Sequence, residues 1–389
     1  MLRRTGGRAG NPFASPSAPG VVPDQTRAPA LGILTRHAYP NYGSLLQTVA
    51  LQSTLTGLGA PCEVIDYVRR DERAVSLGRT SLAESRVRES LAGRLAYRSV
   101  QDPNLAAMYL RFRGHQRRLL RLSPTIDDVA QIGHRTAAYR TVVVGSDQVW
   151  SPIHGVIDPA YFLEDVPAGV QAYSYAAGAR AGSPAEQQAL PARLARFEAV
   201  SVRERSAVDL LTRSGVDGRL DLDPVLLREA SEWSRFAGPK VGRTPYILVY
   251  QLHTKRAFDT ALAEVRDTLG LPVWQVTADA RRGWRADRRE YLVSPERFVA
   301  LFRDAAHVVT DSFHGSAFSL LFGRPFTTVA PVYASERVSD LLAEFELPLR
   351  SSGDVTHVRE AGAEQWALLD DRRRASTQYL AAIARRTVS

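Results

Sequence analysis

The segment 308–316, VVTDSFHGS, combines residue types that anion binding and proton transfer need. An apolar strand that turns directly into a helix exposes backbone N–H groups and the positive helix end, which attract an anion. Ser312 and Ser316 add hydroxyl donors beside Gly315 in the turn. His314 can donate a hydrogen bond or a proton. In the alternative interpretation, the segment is a plain tight turn and His314 is a capping or core residue.

The segment 144–150, VGSDQVW, is a second candidate because it also lies where an apolar strand ends. Asp147 could act as a general base on a hydroxyl group. Trp150 could offer a flat face to a sugar ring. The alternatives are structural, with Asp147 capping the following turn and Trp150 packed in the core.

Two further strand ends carry side chains suited to binding. The segment 36–44 follows an apolar run and holds Arg36 and Asn41, although asparagine is also common in plain turns. Arg203 follows another apolar run, and arginine binds carboxylate or phosphate through two parallel hydrogen bonds. A solvated pair with Glu204 is the alternative for Arg203.

Several common catalytic and cofactor sites are excluded because their motifs are absent. The eight histidines include no His-x-x-x-His pair, and the single cysteine, Cys62, excludes both a Cys-x-x-Cys ligand pair and a disulfide framework. The chain also lacks the Gly-x-Ser-x-Gly turn of hydrolases, the P-loop ending and the Gly-x-Gly-x-x-Gly dinucleotide fingerprint. We therefore expect no metal and no other cofactor.

The chain has 389 residues and a formal charge of +9, which on its own suggests nucleic acid or an anionic membrane. The charge is local, however. Residues 1–29 carry +3 and residues 69–121 carry +8, so the remainder carries −2. The basic segment has few aromatic residues, which argues against a nucleic-acid partner. It fits a solvated helical face, a surface for a partner or a peripheral contact with a membrane.

Short apolar runs alternate with helical patterns from residue 31 onward, which is typical of parallel sheets with crossover helices. Such a chain predicts two α/β halves with a ligand cleft between the carboxyl ends of both sheets. A helix is predicted at 295–304, where Ser294 and Pro295 provide a start signal. The predicted strands are 31–35, 63–66, 141–144, 172–175, 199–202, 246–250, 272–276, 307–310 and 326–329.

The predicted organisation has four parts. No apolar run is long enough for an export signal or a membrane span, so we expect a cytoplasmic protein without a transmembrane segment. The ranges are a disordered leader at 1–29, an N-terminal α/β domain at 30–235 with a basic helical insertion at 69–121, a C-terminal α/β domain at 240–360 and a C-terminal helix at 361–389.

Taken together and in this order, the motifs resemble those of the polysaccharide pyruvyl transferase family over about residues 31–350. The resemblance implies an α/β fold of two Rossmann-like domains in a GT-B-like arrangement. It also implies transfer of a pyruvyl group from phosphoenolpyruvate to two hydroxyls of a saccharide acceptor, as a cyclic ketal. The matching segments are NYGSLLQ at 41–47, GSDQVW at 145–150, YSYAA at 173–177, SVRE at 201–204, LDP at 222–224, SPE at 294–296 and TDSFHG at 310–315, with Arg337 further on.

The resemblance also implies roles for individual residues. His314 matches the histidine of the donor site and would act as the acid and a phosphate contact. Arg203 matches an arginine implicated in donor binding, and Asp147 would face the acceptor. The N-terminal domain is then the acceptor side and the C-terminal domain the donor side.

One position departs from the family pattern. Better-known pyruvyl transferases have an arginine two residues before the histidine, where this chain has Ser312. Arg36, Arg205 or Arg337 could substitute for it in space. Two other functions stay open at this point: a GT-B-like glycosyltransferase that uses a nucleotide sugar, and a non-catalytic sugar-binding protein.

Overall fold

A computed structural model describes residues 12–13, 29–69, 72–73, 90–153, 155–253, 256–279, 286–330, 335–347 and 349–388. The predicted leader lies outside the described residues apart from 12–13 and 29, as does most of 70–89. Contacts divide the chain into two compact units. The first comprises Met1–Arg203, Ala207–Pro224 and Gln378–Ser389, and the second comprises Glu204–Ser206 and Val225–Thr377. The predicted domain ranges stay predictions.

The strands of the first unit are short and mostly buried. They are β1 (Leu31–Leu34), β2 (Cys62–Val64), β3 (Thr141–Val144), β4 (Asp147–Trp150), β5 (Gln171–Ser174), β6 (Ala177–Ala179), β7 (Phe197–Ala199), β8 (Ser201–Val202) and β9 (Arg219–Leu220). One parallel sheet has the order β2-β1-β3-β5-β7. Because the strand order reverses between β1 and β3, a ligand crevice is expected at the carboxyl ends of these two strands.

A second parallel sheet in the first unit has the order β4-β6-β8-β9. It continues the first sheet, since β3 leads into β4, β5 into β6 and β7 into β8 after breaks of one or two residues. At two of these breaks Asp147 and Ala176 have positive φ angles of 64° and 46°. L-residues adopt this conformation at a cost, which aspartate tolerates better than alanine. The break puts Asp147 at the carboxyl end of β3.

The helices of the first unit are α1 (Tyr42–Gly57), α2 (Leu91–Leu119), α3 (Ala130–Thr136), α4 (Pro184–Leu194) and most of α5 (Arg205–Arg213). α1 is almost entirely buried and begins at Asn41 as its N-cap. α4 begins with a capping box, in which the Ser183 and Glu186 side chains each bond the other's backbone N–H. α2 falls within the predicted helical insertion.

The second unit is built on the strands β10 (Ile247–Tyr250), β11 (Val273–Thr277), β12 (Arg288–Tyr291), β13 (His307–Thr310), β14 (Phe326–Val329), β15 (Leu349–Ser352) and β16 (Val355–Val358). They form one sheet in the order β12-β11-β10-β13-β14-β16-β15. The first five strands in this order are parallel, and β16 and β15 extend the edge in antiparallel fashion. The order reverses between β10 and β13, so the ligand crevice is expected at their carboxyl ends.

Helices complete the second unit: α6 (Pro224–Leu227), α7 (Ala230–Ala237), α8 (Arg256–Leu269), α9 (Pro295–Asp304), α10 (Phe313–Leu321), α11 (Ser335–Glu344) and α12 (Ala363–Val388), whose last residues belong to the first unit. The rings of Trp233, Phe298, Phe302 and Phe318 pack against one another between α7, α9 and α10. This aromatic core fixes α10, which follows the predicted anion-binding turn.

The prediction of an α/β chain with two Rossmann-like domains is confirmed. The helix at 295–304 and the strands at 141–144, 307–310 and 326–329 have the predicted bounds. The prediction of a single strand at 199–202 was wrong, because β7 ends at Ala199 and β8 begins at Ser201. The GT-B-like arrangement and the cleft stay predictions. Every helix in the described part of the chain is too short or too polar to cross a membrane.

Candidate active site

Asp147 lies at the crevice of the first unit and is held from several sides. Its Oδ2 accepts a short hydrogen bond from Ser44 Oγ, in the first turn of α1. Its Oδ1 accepts from the Gln148 backbone N–H at 2.9 Å and from Arg203 Nη2 at 3.4 Å. The carboxylate is therefore oriented by a hydroxyl, a backbone donor and a cation. Only 7% of Asp147 is exposed.

Arg203 is a buried partner of Asp147. Its guanidinium donates to Asp223 Oδ2 at 2.7 Å as well as to Asp147, and its side chain has 0% exposure. Arg203 is thus engaged with two carboxylates, and its expected contact with a donor anion stays a prediction. The alternative of a solvated pair is wrong, because burying a guanidinium requires compensating carboxylates.

Two residues of this network were not among the predicted site residues. Asp223 is the counter-charge of Arg203, and its signal was the sequence LDP directly after a strand. Gly178 lies against the pair, since a Cβ there would be 2.9 Å from the Asp147 backbone oxygen and 3.3 Å from Arg203 Nη2. No local pattern marks Gly178.

Arg36 follows β1 at the same crevice. Its Nη2 lies 3.0 Å from Glu72 Oε1, and the two side chains are 15% and 3% exposed. Burial works against the charge, but the carboxylates of Glu72 and Asp147 outweigh it and raise the pKa of Arg36 above its usual value. Arg36 is thus a partly accessible cation that is already neutralised in part.

The loop that carries Arg36 is fixed to the insertion helix α2. His37 Nε2 lies 2.9 Å from Asp66 Oδ1, and Arg113 of α2 donates to both Asp66 oxygens, at 2.9 and 2.6 Å. Gln116 Nε2 donates to the His37 carbonyl at 2.6 Å. Burial alone would raise the pKa of Asp66, but hydrogen bonds from His37 and Arg113 hold it well below its usual range. Part of the basic insertion is therefore structural.

Asn41 and Trp150 have structural roles. Asn41 Oδ1 accepts from the N–H groups of Gly43 and Ser44 at 2.7 and 3.3 Å, so its oxygen is used as the cap of α1. Trp150 is 1% exposed, donates its Nε1–H to the Tyr161 carbonyl at 3.0 Å and stacks on Phe162. These contacts correct the expectation that Trp150 offers a face to a sugar ring.

The turn from β13 into α10 lies where the ligand crevice of the second unit is expected. Ser312 is the N-cap of α10, and its Oγ accepts from the Gly315 N–H at 3.3 Å. Thr310 Oγ1 accepts from the Ser312 N–H at 3.1 Å and donates to the Tyr250 carbonyl at 2.8 Å. A Cβ at Gly315 would be 2.3 Å from Thr310 Oγ1, so the turn requires glycine. The cap explains why serine suits position 312.

Asp311 ties this turn to the loop after β10. Its two oxygens accept from the N–H groups of Leu252 and His253, both at 2.7 Å. His253 Nδ1 lies 3.2 Å from Asp311 Oδ2. The only carboxylate in the segment 308–316 is therefore engaged with backbone donors.

His314 and Ser316 lie in the first turn of α10. His314 is 6% exposed and meets the edge of the Phe313 ring. Ser316 is fully buried, and its Oγ has no hydrogen-bond partner among the described residues. Arg337 is half-buried in α11, which packs against α10. The second unit thus brings together Ser312, His314, Gly315 and Ser316, whereas the first brings together Arg36, Asn41, Asp147 and Arg203.

The family comparison gives the class of the protein. The sequence pattern of the polysaccharide pyruvyl transferase family matches residues 41–331. The chain therefore belongs to that family and is a transferase. The match includes Asn41, Asp147, Arg203 and the whole turn that holds His314. No curated protein matches the chain.

The chain is also similar to solved structures at low sequence identity. A putative UDP-N-acetylglucosamine 2-epimerase from Listeria monocytogenes has 11% identity, a TM-score of 0.49 and 91% coverage of both chains. The UDP-N-acetylglucosamine 2-epimerase of Rickettsia bellii has 10% identity and a TM-score of 0.47, covering 92% of this chain and 95% of its own. The spinosyn rhamnosyltransferase SpnG, complexed with thymidine diphosphate, has 12% identity and a TM-score of 0.41, with 92% and 94% coverage.

Proposed function

We propose that this chain transfers the pyruvyl group of phosphoenolpyruvate to two hydroxyls of a saccharide and forms a cyclic ketal. One observation carries the proposal for the donor: the buried Ser316 hydroxyl, without a partner among the described residues, lies in the same helical turn as His314. Backbone N–H groups at a helix N-terminus favour phosphate and carboxylate. The donor carries both groups.

The donor carboxylate needs a cation, because Ser312 occupies the position of the family arginine. Ser312 is engaged as the cap of α10. We assign this role to Arg337, which is half-buried on the helix that packs against α10. Arg337→Gln should then raise the KM for phosphoenolpyruvate with a smaller change in kcat.

Asp147 is proposed as the base that accepts a proton from the acceptor hydroxyl. Ser44, Gln148 and Arg203 fix its carboxylate, and a preorganised base avoids reorganisation during the reaction. Arg36 supplies a nearby donor for a sugar hydroxyl. Arg203 acts through Asp147 and is a positioning residue.

The proposed reaction balances without a cofactor. His314 gives a proton to the methylene carbon of the donor, which becomes a methyl group and leaves an oxocarbenium-like centre. One sugar hydroxyl attacks this centre and gives its proton to Asp147. The C–O bond between this carbon and the phosphate oxygen then breaks. The second hydroxyl forms the second C–O bond, and its proton leaves with the phosphate. Asp147 and His314 return to their starting states by exchange with solvent.

Phosphate release tests this proposal directly. The protein is mixed with phosphoenolpyruvate and a panel of methyl hexosides with free neighbouring hydroxyls, and the new ketal methyl group is followed by proton NMR. We expect release to require both substrates and to fall about 10²–10⁴-fold in His314→Ala. His134→Ala, which removes an exposed histidine, is the matched control.

A nucleotide-sugar enzyme would behave differently in thermal unfolding. A ligand that binds only the folded protein raises its unfolding temperature. Protection by phosphoenolpyruvate supports the pyruvyl transferase. Protection by nucleotide sugars alone would overturn it in favour of a glycosyltransferase, and full function of His314→Ala in cells would favour a sugar-binding protein.

A further inference from the structure

A separate group of two arginines and a histidine lies on the antiparallel edge of the second unit's sheet. Arg350 in β15 and His357 in β16 are directly paired across the ladder. Arg359 follows the end of β16 directly, and it lines the same cavity as Arg350 and His357. Thr327 of β14 is paired with His357 on its other side. Thr327, His357 and Arg350 thus form a row of polar side chains on one face of the sheet.

A hydrogen-bonded chain orients the imidazole of this row. Thr327 Oγ1 lies 2.9 Å from His307 Nε2 and 3.0 Å from His357 Nδ1. Burial and the neighbouring His357 lower the pKa of His307 to about 4, so His307 is neutral at neutral pH. Because Nδ1 of His357 faces Thr327, its Nε2 edge faces away from Thr327. His307 begins β13, whereas the turn with His314 follows its other end.

The side chains of Arg350, His357 and Arg359 line a cavity of about 470 Å³. Its described lining consists of Leu349, Arg350, His357 and Arg359, and none of these is acidic. The volume is within the range of small-molecule sites, which starts near 300 Å³. One apolar side chain, two guanidinium groups and an imidazole suit a small organic anion.

The charges of this group are not compensated within the part of the chain described. Neither Arg350 nor Arg359 forms an ion pair with an acidic side chain there. Diagonal side chains on antiparallel strands are about 7 Å apart, so the like charges of Arg350 and Arg359 repel each other. A bound anion would remove that repulsion.

We propose that Arg350, His357 and Arg359 bind a phosphate group, either free or as a small phosphomonoester. Two guanidinium groups match a phosphate dianion in charge, and each can form two parallel hydrogen bonds to its oxygens. His357 adds a third donor through Nε2. The site lies at the amino end of β13, apart from the turn proposed for phosphoenolpyruvate, and it does not depend on that function.

Histidine-selective NMR tests the site on the full chain. The signal of His357 is assigned from its absence in His357→Gln, and phosphate, glucose 6-phosphate and acetate are titrated separately. We expect a saturable shift with a phosphate ligand and none with acetate at the same concentration. Arg350→Gln/Arg359→Gln should weaken the binding at least about tenfold. Arg235→Gln/Arg243→Gln, two exposed arginines of the same unit, is the matched control.

Each outcome of this titration either supports or overturns the proposed phosphate site. Equal affinity for both phosphate ligands supports a free-phosphate site, and tighter glucose 6-phosphate binding supports a phosphomonoester site. No saturable shift of His357, an equal response to acetate, or the same loss in the control variant would overturn the proposal. The His314 signal reports separately on the turn of α10, so failure of the proposed transferase is distinguishable from failure of this site.

Discussion

The candidate sites of the two units differ in how their charges are compensated. In the first unit, full charges are buried in pairs: Arg203 lies with Asp147 and Asp223, and Arg36 with Glu72. In the second unit, the turn of α10 offers backbone N–H groups, hydroxyls and His314, and its only carboxylate is engaged with backbone donors. Both lie where the strand order of a parallel sheet reverses.

The difference suggests a division of labour. Paired charges orient a carboxylate but leave little net field, which suits a base that acts on a neutral hydroxyl. Dipoles and hydroxyls without a counter-ion favour an anion. The same topological position therefore serves different chemistry according to how its charges are compensated.

The largest expected effect is on the buried pair of the first unit. Arg203→Ala leaves Asp147 and Asp223 without their cation, so the free energy of unfolding should fall by about 3–5 kcal/mol. Arg98→Ala removes an exposed ion pair with Asp102 and should cost less than about 1 kcal/mol. Urea denaturation compares the two. Equal stability of these variants would contradict the buried network.

Asp147→Asn keeps the shape of the side chain but removes the base. We expect kcat to fall about 10²–10⁴-fold while the KM for phosphoenolpyruvate changes little, because the donor is assigned to the other unit. Steady-state kinetics measures both constants. A rise in KM without a loss of kcat would instead place Asp147 in donor binding.

Asp66→Asn tests the anchor between α2 and the Arg36 loop. Loss of charged hydrogen bonds from Arg113 should lower the free energy of unfolding by about 1.5–3 kcal/mol at pH 7. The folded pKa of Asp66 is depressed, so its stabilisation is present above the unfolded pKa of about 3.9 and is lost as pH falls further. The gap between variant and native protein should therefore shrink below about pH 4. A gap of the same size in acid would exclude this carboxylate as its source.

The smallest effect concerns the cap of α10. Ser312→Ala and Ser294→Ala each remove a helix N-cap, and each should cost about 1 kcal/mol of stability. Ser312→Arg should lose the same cap but bind phosphoenolpyruvate up to about tenfold more tightly, because it restores a cation beside His314. Calorimetry measures the affinity. Unchanged affinity in Ser312→Arg would mean that this position does not limit donor binding.

Much of the scaffold was predictable because its signals are local. The apolar runs at 141–144 and 307–310 and the start signals Ser294 and Pro295 depend on neighbours in sequence. The short strands β4, β6 and β9 were not predicted, since each has only two to four residues and pairs with segments that are distant in sequence. The positive φ of Asp147 likewise has no local signal.

The sequence predicted where the candidate site residues lie along the strands, but not which side chains they contact. Asp147 and His314 lie at strand ends next to the reversal points of the sheets, and Arg203 follows the end of β8. Arg203 and Trp150 nevertheless turned out to be buried. An arginine or tryptophan at a strand end looks the same in sequence whether it faces solvent or the core.

By itself, the sequence determined the alternation of the main parallel strands with helices, the turn that opens α10 and the family of the protein. These follow from hydrophobic period, capping residues and ordered motifs, which are properties of short segments. Only the tertiary structure decided that Arg203 pairs with Asp147 and Asp223, that Arg113 anchors the Arg36 loop, and that Arg350, His357 and Arg359 line one cavity. Electrostatic partners are chosen by distance in space, and the chain brings them together from segments far apart in sequence.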